Sequence, residues 1–272
     1  MALDDADLDA LVGVASAILD DAAKPFVLGH RAKSAVAKHG NDFATEVDLA
    51  IERQVVEALQ TATGIGVHGE EFGGAPIDSE LVWVVDPIDG TFNYAAGLPM
   101  AAILLGLLRA GEPVLGLTWL PFTDQRYTAV IGKPLYANGI ACPTLTDATL
   151  PESIVAVGTF NIGSHGEFPG RYRAGILERL SRKCSRMRMH GSTGIDLAYT
   201  AAGALGGAIS FGHHVWDHAA GVALVRSAGG IVTDLAGQPW TPASRSALAG
   251  VPGVHAELLE IVAATGNPED YR

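Results

Sequence analysis

Residues 82–91 have the sequence Val82-Trp83-Val84-Val85-Asp86-Pro87-Ile88-Asp89-Gly90-Thr91. An apolar run typical of a buried strand ends here in two acids three positions apart, and a turn with proline and glycine follows. Because burying an unpaired charge is costly, two carboxylates at the end of such a strand indicate a bound cation. Thr91 adds a hydroxyl beside backbone amides, which suits an anion. The segment therefore predicts a combined site for a divalent metal ion and a phosphate group.

The composition describes a globular protein of 272 residues. Hydrophobic residues make up 48% and charged residues 18% of the chain, which is ordinary for a protein with a packed core. The net charge of −12 argues against nucleic-acid binding, since phosphate backbones select basic surfaces. It does not exclude a small phosphorylated substrate, because bound metal ions can reverse the local charge.

The sequence predicts a cytoplasmic protein that does not insert into membranes. Cys142 and Cys184 are the only cysteines, so no disulfide framework is expected. The first residues are acidic and lack the basic and apolar segments of a signal peptide. The longest apolar stretches, such as residues 101–108, are far shorter than the ~20 residues that span a bilayer.

The apolar pattern predicts alternating helices and strands. Helices are expected over residues 4–24, 45–60, 171–180, 192–202, 216–228 and 254–265. Strands are expected over residues 81–85, 101–108, 114–119, 126–131, 153–157, 186–189, 207–211 and 231–233, with a short apolar segment at 65–68 and a hairpin turn at 137–140. This order favours a layered α+β architecture over a simple doubly wound sheet. We expect one catalytic unit, 1–272, with a soft subdivision into a metal-binding α+β half, 1–145, and an α/β half, 146–272.

Acidic residues occur in four clusters, which are Asp42 with Asp48, Glu70-Glu71, Asp86 with Asp89, and Asp217. Most of them follow a predicted strand or precede a predicted helix, so side chains from separate elements can converge. Together they offer enough oxygen ligands for two or three hard divalent cations. Two such ions, roughly 4 Å apart, can hold the attacking water and the leaving oxygen of a phosphate ester. The clusters therefore predict hydrolysis of a phosphate ester without a serine or cysteine nucleophile.

Four motifs occur in a fixed order along nearly the whole chain. They are Lys38-x-x-x-Asp42-Phe43-x-Thr45-x-x-Asp48, Gly69-Glu70-Glu71, Asp86-Pro87-Ile88-Asp89-Gly90-Thr91 and Trp216-Asp217-x-Ala219-Ala220-Gly221. Their order and spacing resemble the inositol monophosphatase family, in particular its actinobacterial members. The resemblance implies a layered αβαβα sandwich of the inositol monophosphatase and fructose bisphosphatase type. It also implies a Mg²⁺-dependent phosphomonoesterase.

The resemblance further implies roles for individual residues. Glu70, Asp86 and the Ile88 carbonyl would bind a first Mg²⁺, Asp86, Asp89 and Asp217 a second, and Glu70 a weaker third ion through water. Thr91, hydrogen-bonded to Asp48, would orient and help to deprotonate the attacking water, so Asp48, Thr91 and Glu70 would be catalytic. The substrate would lie against Asp89, Gly90, Thr91, Gly191, Ser192, Thr193, Ser210 and Asp217. Mn²⁺ would substitute for Mg²⁺, Li⁺ would inhibit, and the protein would be a homodimer.

The part of the family pattern that recognises the alcohol is altered. Inositol-specific members have a glutamate seven residues before the last metal-binding aspartate, where this chain has Ser210, and a neighbouring specificity position holds Thr193. The leading substrate is myo-inositol 1-phosphate, with histidinol phosphate, fructose 1,6-bisphosphate and a 3′,5′-bisphosphonucleotide as alternatives. A regulatory protein-binding member that retains the fold is a further alternative. A pure scaffold, however, has no need for the complete set of acids.

Some of these acids also have simpler structural explanations. Asp86 and Asp89 could cap a short helix, Glu70-Glu71 could be a solvated pair at a strand end, and Asp42 could be a cap or turn former.

Four other features are open in the same way. Lys38 could assist the active-site loop or simply be exposed, and Trp216 would pack to fix Asp217. His213-His214 could bind a metal, but the site is already rich in oxygen ligands that suit Mg²⁺, which favours a loop pair or a role in support of the metal ligands. The basic run 171–190 would be a solvated face, a subunit interface or a lip for an anionic substrate.

Overall fold

The computed structural model describes residues 5–37 and 43–272, the first two of them as backbone only. The helices are α1 (Asp5–Leu28), α2 (Glu46–Thr63), α3 (Thr91–Ala96), α4 (Gly170–Leu180), α5 (Thr193–Ala201), α6 (Val215–Ser227) and α7 (Val254–Thr265). The strands are β1 (Ser34–Ala37), β2 (Phe43–Thr45), β3 (Gly66–Gly69), β4 (Gly73–Gly74), β5 (Leu81–Asp89), β6 (Ala102–Arg109), β7 (Glu112–Leu120), β8 (Gln125–Val130), β9 (Tyr136–Ala137), β10 (Ile140–Ala141), β11 (Ile154–Val157), β12 (Arg186–Arg188), β13 (Gly207–Ser210), β14 (Ile231–Thr233) and β15 (Ala247–Gly250). Short 3₁₀ turns lie at Leu150–Glu152 and Pro268–Tyr271.

In this described part of the chain the strands form two large sheets and a hairpin of β1 with β2. The first sheet has eight strands in the order β10-β9-β8-β7-β6-β5-β3-β4, and its one parallel pair is β3 with β5. The second has five strands in the order β12-β11-β13-β15-β14. There β11 pairs parallel with β12 and β13, and β15 pairs antiparallel with β13 and β14.

Three apolar clusters define the layers. One joins α1 and α2 to a face of the eight-stranded sheet around Trp83. A second fills the space between the two sheets, where α5 and α6 lie, around Ala219. The third joins α4 and α7 to the outer face of the five-stranded sheet around Ile209. The layer order is therefore αβαβα, which confirms the predicted α+β sandwich.

The position of β5 in the middle of this stack explains its continuous apolar sequence. Val82 and Val84 belong to the cluster between the sheets, whereas Trp83 and Val85 belong to the cluster under α1 and α2. Successive side chains of a strand point to opposite faces, and both faces of β5 are covered. A strand buried on both sides therefore carries the acids into the interior.

β5 also differs from its predicted extent, because it continues to Asp89 instead of ending at Val85. Its pairing with β6 shifts between Asp86, opposite Leu104, and Asp89, opposite Ala102. Three residues of β5 therefore span the same distance as two residues of β6, which is a β-bulge. Pro87 lies within this bulge and has no backbone N–H to donate to β6. The two acids thus lie within a bulged strand end, and the turn begins only at Gly90, whose φ is 91°.

Small residues let α6 approach the eight-stranded sheet closely. A Cβ at Gly106 would lie 3.0 Å from Cβ of Ala219, and one at Gly116 would lie 2.3 Å from the carbonyl oxygen of Ala220. On the other side of the helix, a Cβ at Gly221 would lie 2.5 Å from Leu197 of α5. The Ala219-Ala220-Gly221 sequence therefore has a packing role, which holds α6 against β6 and β7 on one side and α5 on the other.

Other predicted elements are found within a few residues of their expected bounds. α1 extends past residue 24 through Pro25 to Leu28, because Phe26 is fully buried and packs against Tyr94 and Phe122. The hairpin turn is present, with positive φ at Asn138 and Gly139. The sequence did not predict β1, β2, β4, α3 or β15.

Three further predictions concern the first motif, the cysteines and membrane insertion. Lys38 and Asp42 lie outside the described residues. Cys142 and Cys184 are not joined in a disulfide. No helix among residues 5–37 and 43–272 combines the length and apolar character needed to cross a membrane.

Candidate active site

A cavity of about 460 Å³ lies where β3, β5, α3 and α6 meet. The four carboxylates predicted as metal ligands all line it, and they come from three separate segments: Glu70 after β3, Asp86 and Asp89 at the end of β5, and Asp217 in the first turn of α6. Ile88, whose carbonyl was predicted as a further ligand, lines the same cavity. The fold therefore brings together residues up to 147 positions apart in the sequence, the separation of 70 and 217.

The two acids of β5 are almost completely buried. Asp86 is 2% and Asp89 7% exposed. Burial first, and then the negative charges of Glu70, Asp89 and Asp217, raise the pKa of Asp86 well above its usual range. Burial also raises the pKa of Asp89 to about 7, although hydrogen bonds from α5 oppose the shift. Buried carboxylates that repel one another are a favourable environment for a cation.

The N-terminus of α5 holds Asp89 through three hydrogen bonds. Oδ2 of Asp89 accepts hydrogen bonds from Ser192 Oγ at 2.5 Å and from the Gly194 amide at 2.6 Å. Oδ1 accepts from the Thr193 amide at 3.2 Å. A Cβ at Gly194 would lie 2.8 Å from Oδ2, so this close approach requires glycine. The N-terminus of α5 therefore fixes the orientation of the Asp89 carboxylate, although the two lie about a hundred residues apart in the sequence.

The donor set fits a hard divalent cation. Its side-chain ligands are all carboxylates, which suit Mg²⁺ or Mn²⁺ better than a soft metal. Among the residues the structure describes, however, no three His, Cys, Asp or Glu side chains are already grouped as a closed metal site. The fit thus rests on donor type, burial and charge.

Thr91 and Asp48 are neighbours, as expected. The Thr91 hydroxyl lies 3.4 Å from Oδ1 of Asp48 and 2.9 Å from the carbonyl oxygen of Ile88. Oδ2 of Asp48 accepts bonds from the amide and the hydroxyl of Thr45, the N-cap of α2. Burial is the largest influence on Asp48 and raises its pKa above the usual value, against these two bonds. Asp48 is therefore a buried and well-oriented proton acceptor.

The predicted substrate-binding residues fall into two groups. The first group lines the cavity and consists of Asp89, Gly90, Thr91, Gly191 and Asp217. Ser192, Thr193 and Ser210 are absent from its wall, and the first two use their hydroxyl and amide groups to hold Asp89.

Ser210 is bonded to His218 instead. Nδ1 of His218 lies 2.8 Å from the His214 carbonyl oxygen, and its Nε2 lies 3.0 Å from the Ser210 hydroxyl. Burial lowers the pKa of His218 to about 4, so the ring is neutral at pH 7 and carries a single N–H. Because a carbonyl only accepts, that N–H is on Nδ1, and Ser210 donates its hydroxyl proton to Nε2.

The simpler explanations for the acids find little support in these contacts. α3 has Gly90 as its N-cap and receives no side-chain capping bond, so Asp86 and Asp89 do not cap it. Glu70 lines the cavity rather than a solvated edge.

Trp216, the His213-His214 pair and part of the basic run 171–190 contact neighbouring residues. The Trp216 ring stacks on His214 at 4.5 Å, which is a packing role near Asp217. His213 and His214 are exposed, and their rings contact each other at a tilt of 36°. In the basic run, Arg182 pairs with Glu178, and Arg186 and Arg188 lie exposed on the strand at the edge of the second sheet.

Several residues that join the parts of the site could not be predicted from the sequence. Nδ2 of Asn93 in α3 donates to the carbonyls of Met100 and His190, at 2.8 and 2.7 Å, and so ties α3 to the segment before α5. Asp196 bonds the ring of His190 at 2.5 Å. Glu52 bonds the turn that carries Glu70. Only Glu52 left a signal in the sequence, as an acid on the apolar face of a predicted helix.

Comparison with known proteins identifies the family of this chain. The model of the inositol monophosphatase family matches residues 3–266. The chain belongs to this family. Members of the family are metal-dependent phosphatases, in accord with the carboxylate-lined cavity.

Individual relatives are similar over almost their whole length. The chain is 71% identical over 269 residues to the inositol-1-monophosphatase ImpA of Mycolicibacterium smegmatis, covering 99% of this chain and 98% of the relative. It is 72% identical over 261 residues to the probable inositol 1-monophosphatase ImpA of Mycobacterium tuberculosis, covering 96% and 97%. The solved structure of the Thermotoga maritima IMPase superimposes with a TM-score of 0.85 at 26% identity, covering 97% of this chain and all of that one. These matches confirm the predicted family and its actinobacterial character.

Proposed function

We propose that this protein is a Mg²⁺-dependent phosphatase that hydrolyses myo-inositol 1-phosphate to inositol and phosphate. The observation that carries the proposal is the cavity at the end of β5, where Glu70, Asp86, Asp89 and Asp217 converge beside Thr91. The high identity to two proteins named as inositol-1-monophosphatases supports it.

Each carboxylate has a place in the proposed site. Glu70, Asp86 and the Ile88 carbonyl would hold one ion, and Asp86, Asp89 and Asp217 another. When bound, such ions supply positive charge for the phosphoryl oxygens and lower the pKa of water. We infer Mg²⁺ as the resident ion, with Mn²⁺ as a substitute and Li⁺ as an inhibitor.

Thr91 and Asp48 would supply the proton transfer. The single Thr91 hydroxyl proton has two acceptors within reach, Ile88 O at 2.9 Å and Asp48 Oδ1 at 3.4 Å. In the proposed step, Thr91 transfers this proton to Asp48. The Thr91 oxygen then accepts a proton from the attacking water. Because burial raises the pKa of Asp48, the carboxylate is a stronger base than an exposed aspartate.

The phosphate would lie against Gly90, Thr91 and Gly191, which line the cavity where little side-chain bulk separates it from the backbone. The alcohol half has fewer defined contacts, because the Ser210 hydroxyl donates to His218. Histidinol phosphate, fructose 1,6-bisphosphate and a 3′,5′-bisphosphonucleotide therefore stay in the set of substrates to be tested.

Three further proposals follow the family resemblance. The chain would act as one catalytic unit, since both sequence halves, 1–145 and 146–272, contribute carboxylates to the cavity. It would form a homodimer. A cytoplasmic location stays a prediction from the sequence.

A phosphate-release assay with the purified protein tests the proposal. With Mg²⁺ present, we expect release from inositol 1-phosphate to exceed release from histidinol phosphate, fructose 1,6-bisphosphate and adenosine 3′,5′-bisphosphate. Chelation of the metal should abolish it. A folded protein that binds Mg²⁺ but cleaves none of these esters would contradict the proposed reaction and favour the regulatory alternative.

A further inference from the structure

Glu52 is a fully buried carboxylate that the proposed reaction does not use. It lies in α2, and its residue is 0% exposed. Oε2 accepts a hydrogen bond from the Glu71 amide at 2.8 Å, and Oε1 accepts one from the Phe72 amide at 2.9 Å. Each oxygen therefore receives one backbone N–H from the turn that immediately follows Glu70.

We propose that Glu52 is a positioning residue that fixes the Glu70 turn, residues 69–72, so that the Glu70 carboxylate faces Asp86. This inference rests on the proposed function only in taking Glu70 as a metal ligand. Hydrogen bonds to an ionised carboxylate are shorter and stronger than those between neutral groups. Two of them on consecutive amides define both the position and the orientation of a turn.

Gly69 shows how closely the carboxylate approaches. A Cβ at position 69 would lie 2.0 Å from Oε1 and 2.3 Å from Cδ of Glu52. The glycine is needed here for space, since any side chain would displace the Glu52 carboxylate. Each position of the turn therefore has a defined role. Gly69 allows the close approach of Glu52, Glu70 lines the cavity, and residues 71 and 72 donate their backbone amides to Glu52.

The other side of the turn is attached to β5. Gly69 pairs with Val85 in the parallel β3–β5 ladder, and the Glu70 amide donates to the Val85 carbonyl at 3.2 Å. Val85 directly precedes Asp86. The turn is therefore fixed on one side by the strand that carries Asp86 and on the other by Glu52.

The same helix also orients the proton acceptor. Asp48 and Glu52 are four residues apart, so they lie on one face of α2, one turn from each other. Asp48 contacts Thr91, and Glu52 contacts the Glu70 turn. The guanidinium of Arg53 adds a cation–π contact 4.8 Å from the Phe72 ring centroid. A single rigid helix therefore sets the position of Glu70 relative to Thr91.

The experiment compares Glu52→Gln with Glu57→Gln, an exposed glutamate on the same helix, in the full chain. Glutamine keeps the shape but presents an NH₂ group to one of the two amides, so that bond is lost. Metal affinity is measured by calorimetric titration with Mn²⁺ or Mg²⁺, and amide exchange of residues 71 and 72 by NMR without metal. We expect Glu52→Gln to weaken metal binding by about 10-fold or more, as for other residues that orient metal ligands, and to speed exchange of both amides. Glu57→Gln should change neither.

A purely structural role would lower stability and leave metal affinity unchanged, so unaltered affinity in Glu52→Gln overturns the inference. If that variant does not fold, exchange in the wild-type protein decides: fast exchange at residues 71 and 72 overturns the inference, and strong protection supports it. A wild-type protein that binds metal but releases no phosphate would contradict the proposed reaction alone. This inference would then still stand or fall on the Glu52→Gln affinity.

Discussion

Ser210 donates its hydroxyl proton to the Nε2 atom of His218 at 3.0 Å. The family resemblance predicted that this position, a glutamate in inositol-specific members, contacts the alcohol. Here the side chain is 8% exposed and is bonded within the protein. The hydroxyl proton of Ser210 is therefore held by His218 and is not free to donate to a substrate.

Replacing Ser210 with alanine should lower stability and leave substrate preference nearly unchanged. The lost hydrogen bond and the unsatisfied His218 nitrogen cost about 1–2 kcal/mol, which lowers the melting temperature by a few degrees. Relative rates on inositol 1-phosphate and fructose 1,6-bisphosphate measure the preference. A change in their ratio of more than about 10-fold would show that Ser210 contacts the substrate after all.

The variant Ser210→Glu is a more demanding test of specificity. It must place a carboxylate in a buried position beside His218, so we expect a larger loss of stability than in the alanine variant. Substrate preference should change more than metal affinity. Unchanged relative rates in a folded variant would count against a role for this position in specificity.

Asp89→Asn should fold but lose at least about 100-fold in activity. Asparagine can keep Oδ2 as acceptor for Ser192 and Gly194, so only the weaker bond from Thr193 is lost. The removed negative charge, however, takes away part of the cation site. Thermal unfolding with and without Mg²⁺ gives a second measurement, because a ligand that binds only the native state raises the melting temperature.

The matched control for this variant is Asp124→Asn, an exposed aspartate with a φ of 51° that asparagine adopts readily. Mg²⁺ should stabilise the control as it does the wild-type protein. Full stabilisation of Asp89→Asn by Mg²⁺ would remove Asp89 from the proposed ligand set.

Thr91→Val should lower kcat by about 10²–10⁴-fold, the usual contribution of a positioned proton-transfer group. Valine has nearly the same shape as threonine but no hydroxyl to donate to Asp48 or Ile88. Thr91→Ser restores the hydroxyl and should retain most of the activity. Steady-state kinetics at saturating Mg²⁺ distinguish the two, and equal kcat values for the valine and serine variants would refute the role of the hydroxyl.

Acid should destabilise the protein partly through His255. Burial lowers the pKa of this histidine below its ordinary value of 6.5. Its Nε2 lies 3.0 Å from the hydroxyl oxygen of Thr233. Because Thr233 donates its own proton to the Asp234 carbonyl, the bond to His255 requires the proton of the neutral ring to be on Nε2. As the pH falls below about 6.5, the unfolded chain takes up a proton that the folded state resists, and stability decreases toward the folded pKa.

His255→Gln keeps an N–H donor for Thr233 but does not titrate. The difference in melting temperature between pH 7.5 and pH 5.5 should therefore be smaller in this variant than in the wild-type protein. His165→Gln, at an exposed histidine, is the control and should keep the wild-type difference. An equal pH dependence in all three proteins would exclude His255 as a source of acid sensitivity.

Much of the fold could be predicted because its signals are local. The continuous apolar sequence of residues 82–85 indicates a strand covered on both faces, and the spacing of Leu49 to Leu59 indicates an amphipathic helix. β15 (Ala247–Gly250) has the short sequence Ala-Leu-Ala-Gly. It has no β-branched side chain, and its single large apolar residue, Leu248, does not distinguish it from a loop. It is a strand because β13 and β14 pair with it on both sides.

The residues of the site could be predicted from the sequence, but the contacts that hold them in place could not. The four acids stood out by type and by motif, whereas the bond from Asn93 to the His190 carbonyl joins positions 97 apart and leaves no pattern in the sequence. Likewise, Ser192 could be predicted as a helix cap, but its second partner, Asp89, depends on how α5 packs against β5. Contacts of this kind follow from packing, which short-range sequence patterns do not determine.

The layer of α5 and α6 between the two sheets has a consequence for synthesis of the protein on the ribosome. The eight-stranded sheet is complete once residue 141 has been made, yet one of its apolar faces is covered by helices that end at residue 227. At the usual rate of elongation, 86 further residues (227 minus 141) take roughly 4–17 s. During that interval the nascent chain exposes an apolar sheet surface, so release of a truncated product in this window would yield an aggregation-prone fragment rather than a smaller folded domain.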